Sequence, residues 1–516
     1  MTSNAHGGGA LASLALAMRS RRTAAVVLQS FSSGLPLGLV WYAIPDWMRS
    51  IGVDIRVVGI ITLAQAPWTF KVLWSPLMDR YVPPFWGRRR GWMAVTQAAL
   101  FLFGLMLAGV GDRPEAIWVV GALALATALA SASQDIAIDA YAVEVLHKDE
   151  QGAASGARTA AYRAAMLLAG GVTISMASRV GWPLVNLVLA TVYLPMLAIT
   201  WWSPEPEVEA PPPRTLNDAV WQPFLSFLTR PRALEILAFV VLYKMADQLT
   251  QALTRPFLID MGYNADQRGI ALATVGATAT IVGAFLGGWV TTLVGLGHAL
   301  WIFGFLQLFS NIGYYLLSLL PEPNPWAMFS ATGFELLTGG MGTGAFSVLL
   351  LRVTEKRFSA TQYALFSSLF ALPRVVAGPI AGFAVDAVGW STFFLSTLVI
   401  GVPGLVMLGR FVPIGVRDPD FGMADGRASA APAVSLARYA VPAAVGLGIG
   451  ASLLLAALDA MQAMRGTPGA TFEFAAALGR LYPVDVNGWL QVVGIVAFAA
   501  VGGMFVAATR AGRAQE

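Results

Sequence analysis

No cysteine occurs among the 516 residues, which excludes disulfides, thiolate chemistry and cysteine-based metal sites. Histidine is nearly absent too. His6 lies in the N-terminal tail, and His147 and His298 fall near expected helix ends, so neither a buried histidine relay nor a histidine-rich metal centre is expected. Charge is the third scarcity. Only 12% of residues are Asp, Glu, Lys or Arg, about half the roughly 25% of a soluble protein. That leaves too little polar surface for a water-soluble globule. The chain is filled instead by apolar residues, 57% of the total, with a mean hydropathy of +0.66. Hydrophobic runs recur from near residue 24 to residue 509, the pattern of a polytopic membrane protein. The net charge of +4 is modest and predicts no nucleic-acid partner.

Runs of spanning length fall at about 24–44, 58–78, 92–110, 115–145, 152–178 and 183–202, then at 234–256, 268–294, 299–320, 326–352, 361–387 and 390–411. Two more follow at 438–463 and 487–509, giving fourteen expected spans in an all-α chain. The division is a tail (1–23), a first six-helix bundle (24–202), a linker (203–233) and a second bundle (234–411). A further linker (412–437), two extra helices (438–509) and a C-terminal tail (510–516) complete it. The proline-rich SPEPEVEAPPPRTLND in the first linker is too polar to cross a bilayer. Residues 11–18 (LASLALAM) are too few to span, and Ser20-Arg21-Arg22-Thr23 reads as a basic anchor rather than a twin-arginine signal. Basic residues, among them Arg88–Arg90, Arg214, Lys356 and Arg357, gather on one side. The positive-inside rule therefore puts both termini and both linkers in the cytoplasm.

The two six-helix blocks match one another. Glu144, Gln151 and Arg163 correspond to Glu355, Gln362 and Arg374 at a constant offset of 211, which Gly171 and Gly382 continue. Gly52, Gly59 and Ile60 correspond to Gly262, Gly269 and Ile270 at an offset of 210. Parallel six-helix repeats joined by a cytoplasmic linker are the architecture of the major facilitator fold, whose substrate site lies near midplane between the halves.

The loop after the second run contains Asp79-Arg80 and then Gly87-Arg88-Arg89-Arg90. It resembles the signature loop of that superfamily, in which an acid ending a helix can hold an arginine or a neighbouring helix N-terminus. Asp79, Arg80, Arg88 and Arg89 are the candidate gating residues. Longer strings sharpen the resemblance: FSSGLPL (31–37), FKVLWSPLMDRYVPPFWGRRRGW (70–92), SASQDIAIDA (131–140), GGMGTGAF (339–346) and FSATQYALFSSL (358–369). Together they resemble the AmpG-type muropeptide permeases across both halves. The resemblance implies proton-driven import of N-acetylglucosaminyl-anhydromuramyl peptides for peptidoglycan recycling, across a bacterial inner membrane.

Ionisable groups within spans are the most informative residues, since each costs about 2.5–3.5 kcal/mol at a helix centre. They are Lys71, Asp135, Asp139, Arg158, Arg163, Lys244, Asp247, Glu335, Arg374 and Asp386. Lys244, Asp247, Gln248 and Gln251 form one polar stripe at helical spacing. Lys71, Arg163, Lys244 and Arg374 are candidate ligands for anionic groups. Gln134, Gln248, Gln251 and Gln362 are candidates for sugar hydroxyls and amides. Trp41, Tyr42, Trp68 and Tyr162 are candidate stacking surfaces, although aromatic residues also collect at membrane interfaces. With histidine remote, the expected proton carriers are carboxylates: Asp135, Asp139, Asp247 and Glu335. Asp135 and Asp139, four apart on one face, repel one another and are the first choice, Asp135 before Asp139. Lys244 is expected to hold Asp247 ionised, and Glu335 to sit nearer water at the start of its span. Gly340-Met341-Gly342-Thr343-Gly344 reads as a helix-packing stretch, and Asp418-Pro419-Asp420 as a linker turn.

Transport has two rivals: a related carrier for another bulky anion, such as acetyl-CoA or a siderophore, and a membrane-embedded acyl- or glycosyltransferase. An enzyme needs a nucleophile, an acid–base pair or a metal site near one interface, and the sequence offers no histidine triad or metal cluster. The expectation is a monomeric, cofactor-free transporter whose partners are a muropeptide, protons and the lipid bilayer.

Overall fold

The computed structural model describes residues 19–419 except 55–56, 59–61, 208–210 and 229–232, then residue 421, residues 440–452 and isolated positions beyond them. The two C-terminal runs expected at 438–463 and 487–509 lie largely outside the described residues. The chain forms two compact units. The larger comprises residues 1–219 and 235–423 and holds the candidate site. The smaller joins residues 220–234 to 424–516, and its described part includes the apolar helix Ala440–Ser452. The residues of the expected linker include a helix, Leu216–Leu228.

Among the described residues, ten helices are long and apolar enough to cross a membrane. They are α1 (Arg21–Ser50), α3 (Arg88–Val110), α4 (Pro114–Val145), α5 (Gln151–Val180), α6 (Trp182–Trp202), α7 (Glu235–Asp260), α8 (Ala265–Val294), α9 (Leu296–Ser318), α10 (Pro325–Val353) and α12 (Val388–Phe411). Two expected runs are less regular. One, α2 (62–80), is a series of short pieces: Thr62–Gln65, Ala66–Phe70, Lys71–Leu73 and Ser75–Arg80. The other, α11 (359–387), is continuous in helical geometry with α12 except at Gly389, whose φ of 75° belongs to the left-handed region glycine tolerates.

Proline explains much of the break in α2. Pro76 has no N–H for the carbonyl of Val72, and its ring would crowd that carbonyl. The Ser75 hydroxyl donates to the Val72 oxygen instead, at 3.0 Å. The interruption leaves Lys71 at a joint between pieces. A similar break in α7 leaves Tyr243 and Lys244 between the helices Ala233–Leu242 and Met245–Asp260. Wider π-helical turns interrupt α1 at Leu39–Ala43, α5 at Leu168–Val172 and α8 at Ile270–Gly276. Such bulges and breaks gather where helices serve a site rather than merely span.

One apolar core is drawn from α1–α6, with Trp47 stacked on Trp182 at 5.7 Å. Another is drawn from α7–α12 around Phe257, Tyr314 and Phe394. Leu102, Trp118 and Val399 are more than half exposed, which suits a helix face against lipid rather than water. Between the two sets, α5 meets α8 at backbone distance. A Cβ on Gly288 would lie 2.4 Å from the Gly156 Cα, so only glycine permits the crossing. The glycine stretch in α10 works as expected, with Gly340 and Gly344 against the α8 backbone and Gly342 beneath the Gln307 amide.

Candidate functional site

A cavity of about 250 Å³ opens between α1, α2, α4 and α5 on one side and α10 and α11 on the other. The first side is polar and charged, with Ser30, Ser33, Lys71, Asp135, Asp139, Arg158 and Tyr162. The second presents Phe346, Tyr363 and Phe370 with the hydroxyls of Ser347 and Ser367. The α2 joint carries Lys71 to Asp139, Nζ to Oδ2 at 3.3 Å, and Arg158 pairs with Oδ1 of the same carboxylate. Asp139 therefore carries one cation on each oxygen. The Arg158 guanidinium also lies 6.0 Å from the Tyr363 ring, within cation–π reach. Asp135, one turn before Asp139, accepts from the Ser33 hydroxyl. Two cations thus face two carboxylates. Lys71 and Arg158, both paired with Asp139, also lie within electrostatic reach of Asp135, a meeting that sequence spacing could not reveal.

Beside this cavity lie the repeat-equivalent arginines. Arg163 and Tyr162 are half-buried on α5, and Arg374 is exposed on α11. Arg374 is within electrostatic reach of Arg163, Tyr162 and Tyr42, and Tyr162 is within reach of Asp135. The π-turn in α1 sets the Tyr42 ring against Gly170 of the π-turn in α5, where a Cβ would approach the ring to 2.7 Å. Among the described residues, neither Arg163 nor Arg374 has a carboxylate partner.

A second polar cluster sits inside the α7–α12 set. Lys244 binds Asp247 at 2.9 Å, the Gly339 carbonyl at 3.0 Å and the Gln307 amide oxygen. Gln251 donates to Glu335 at 2.9 Å. Glu335 is 1% exposed, contrary to its expected place near water. The helix begins at Pro325, so this residue is already well inside it.

At the end bearing the basic loop, a buried lock joins the two helix sets. Asp79 Oδ1 accepts from Arg89 Nη2 at 2.6 Å. Its Oδ2 accepts from the Thr361 backbone N–H at 2.8 Å and the Thr361 hydroxyl at 2.7 Å. These donors belong to the first turn of α11, whose N–H groups have no helical acceptor. Glu144 Oε1 accepts from Arg89 at 2.8 Å, Arg88 at 3.1 Å and the Ser359 hydroxyl at 2.6 Å. Nearby, Arg352 reaches Gln151 at 3.3 Å and Asp418 at 2.6 Å. Partial burial pushes the Asp418 carboxyl up, but the hydrogen bond and charge of Arg352 outweigh it and hold the group below its ordinary range.

Other expected site residues lie elsewhere. Trp41 and Trp68 meet edge to face at 6.5 Å and pack on the first apolar core. Gln134 is fully buried and donates to Ser32 between α4 and α1. Gln362 is fully buried, accepting from the Glu355 N–H at 2.8 Å. Gln248 is half-buried on α7. Arg80 stands apart from the lock, donating to the Arg214 carbonyl at 3.2 Å and covering the Tyr81 ring, because the last turn of α2 aims it at the linker. Residues not anticipated as site members are Ser33, Arg158, Phe346, Tyr363, Phe370, Glu144 and Thr361. Of these, Arg158 carried a sequence signal as a cation within a span, and Glu144 as a member of the repeat match with Glu355.

The ten apolar helices, the cavity between two helix sets and the lock across them define a membrane transporter. The chain belongs to the Major Facilitator Superfamily, whose sequence profile matches residues 26–378. Within it, the chain falls among the AmpG-type permeases. The anhydromuropeptide permease of Escherichia coli K12 is 42% identical over 389 residues, 75% of this chain and 79% of that relative. The fold is shared with the human organic anion transporter MFSD10, at a TM-score of 0.56 and 15% identity over 75% of this chain and 99% of that one. It is also shared with a bacterial homologue of the iron transporter ferroportin in an outward-facing state, at a TM-score of 0.55 and 14% identity over 75% and 98%.

Proposed function

We propose that this chain imports anhydromuropeptides across the bacterial inner membrane, driven by the proton gradient. The observation that carries the reading is the cavity's two-faced wall, charged on the α1–α5 side and aromatic on the α10–α11 side. A muropeptide has both matching parts, sugar rings with apolar faces and a peptide stem with carboxylates. In this reading the sugars lie against Phe346, Tyr363 and Phe370, while hydroxyls and amides meet Ser33, Ser347 and Ser367. The stem carboxylates reach Arg163 and Arg374, two cations beside the cavity that have no carboxylate partner among the described residues. Gln248 and Gln251, expected as polar contacts, are not among the residues that line the cavity, and Gln251 donates to Glu335 instead. The printed name of the 42%-identical Escherichia coli relative supports the substrate class.

The basic end is the cytoplasmic end in this reading, with both termini inside and fourteen spans arranged as two six-helix repeats plus two helices, functioning as a monomer. The lock through Asp79 and Glu144 then closes the cytoplasmic side, and the cavity belongs to an outward-facing state. Its volume of about 250 Å³ falls below the roughly 300–1,000 Å³ of sites for drug-sized ligands, so loading requires the outer ends of the helices to part further.

Uptake by right-side-out vesicles tests the function. Labelled anhydromuropeptide is expected to accumulate uphill, to be released by an uncoupler and to compete with unlabelled anhydromuropeptide but not with acetyl-CoA. Equal competition by acetyl-CoA would assign the cavity to bulky anions in general.

A further inference from the structure

The cluster inside the α7–α12 set differs from every other buried charge group around the site in its arithmetic. Lys244, at the α7 break, has all three ammonium hydrogens committed: to Asp247, to the Gly339 carbonyl and to Gln307. Glu335 receives one hydrogen bond, from Gln251 to Oε1. Its Oε2 is buried with no partner among the described residues. The charged and titratable groups facing it are Asp247 and Lys244 from α7 and Tyr314 from α9. The cluster therefore holds two carboxylates and one cation. The cavity group holds Lys71 and Arg158 both on Asp139, with Asp135 within electrostatic reach of the two cations, and the lock sets Arg88 and Arg89 against Asp79 and Glu144. Both of those balance.

A buried carboxylate with no cation of its own costs several kcal/mol. One proton on the cluster removes that cost, turning the orphaned oxygen of Glu335 into a hydroxyl. We propose that Glu335, supported by Asp247 and Lys244, is where the coupling proton is loaded and released, at a place separate from the substrate cavity. The inference rests on the import reading and adds to it the location of the coupling ion. The chemical step is a single O–H bond, formed with a proton from the outer water and broken to the cytoplasmic water. Loaded, the cluster is neutral and the helices are free to change access. Unloaded, it carries one buried negative charge that opposes the change.

A physical contact joins the two places. Tyr243, adjacent to Lys244, stacks on Phe346 at 5.7 Å, and Phe346 stacks on Phe370 at 4.6 Å. Both phenylalanines line the cavity. Gln307, which accepts from Lys244, lies 3.4 Å from the Tyr243 hydroxyl. Substrate pressing on the aromatic wall thus bears directly on the residue beside the cluster's only cation.

The test uses full-length protein in proteoliposomes with labelled N-acetylglucosaminyl-anhydromuramyl tetrapeptide. Glu335→Gln is expected to lose uphill accumulation under an imposed proton gradient while keeping exchange of internal for external substrate at the wild-type rate. Asp135→Asn, altering the cavity itself, lowers both together. A second readout needs no substrate. The infrared band of a protonated carboxyl should titrate with pH in the wild type, disappear in Glu335→Gln and return, displaced in pH, in Glu335→Asp. Wild-type accumulation by Glu335→Gln with unchanged uncoupler sensitivity, or survival of the titrating band, overturns the assignment. If the Gln variant does not fold, an Asp variant whose band and accumulation both match the wild type at every pH overturns it equally. Failure of wild-type protein to move the muropeptide would count against the import reading, and the infrared readout would still judge the site.

Discussion

Asp79→Asn is expected to abolish net uptake while leaving the protein in the membrane and the end that bears its basic loop open to water. The carboxylate is fully buried and accepts from Arg89, from the Thr361 hydroxyl and from N–H groups at the start of α11. Asparagine retains one acceptor oxygen and turns the other into a donor facing donors. Arg89 keeps only Glu144 as a charged partner. Breaking a buried pair by removing one member costs about 3–5 kcal/mol. The loss is expected to fall on the closed arrangement, in which α2 meets the α11 N-terminus through this carboxylate. A bias of that size shifts a two-state population by about two orders of magnitude or more. Labelling of a cysteine placed near Ser359 should rise from protected to fully reactive. Unchanged protection together with unchanged uptake would mean that the contact is ornamental to the cycle.

Arg163→Ala and Arg374→Ala form the second large prediction, and the expected signature is a split between function and folding. Neither arginine has a carboxylate partner among the described residues, and both retain solvent access. Removing either guanidinium therefore leaves no orphaned buried charge, and insertion should proceed normally. Hydrogen bonds to charged groups contribute about 1.5–3 kcal/mol, so half-saturation for the muropeptide should rise by about one to two orders of magnitude. Arg158→Ala provides the contrast. It strips Asp139 of one of its two cations and should lower the amount of folded protein as well as uptake. If Arg163→Ala and Arg374→Ala instead remove the protein from the membrane, they serve as structural ties rather than as ligands for substrate.

The sequence was most informative where a residue's chemistry conflicts with its surroundings. A carboxylate at the end of an apolar run announces a lock, and Asp79 occupies one. Its partner Thr361 contributes a backbone N–H beside its hydroxyl, and no side-chain pattern displays an N–H. Cations within spans announce a site, and Lys71 and Arg158 meet at Asp139 although they lie in different helices. That meeting was invisible because it depends on helix packing and on the joint that Pro76 helps to form. The offset of 211 between Arg163 and Arg374 was legible and foreshadowed their proximity. Gln362, expected to meet sugar hydroxyls and amides, serves the loop end instead, as does its repeat equivalent Gln151. Aromatic residues were the least legible. Trp41 and Trp68 are packing residues, whereas Phe346 and Phe370, which face the cavity, sit in apolar runs that mark them as ordinary core. The interruptions of α2 were not legible for a local reason, since hydropathy averages over the prolines that divide it.

The absence of native cysteine allows the central claim to be measured without altering the background. Thr159→Cys and Ser367→Cys each put one thiol on opposite walls of the cavity. Reaction of each with a membrane-impermeant maleimide, with and without saturating anhydromuropeptide, tests whether both helix sets hold that ligand between them. The account predicts that the muropeptide protects both thiols and that acetyl-CoA at the same concentration protects neither. Undiminished labelling of both positions in the presence of muropeptide, in protein that still transports it, would contradict the account.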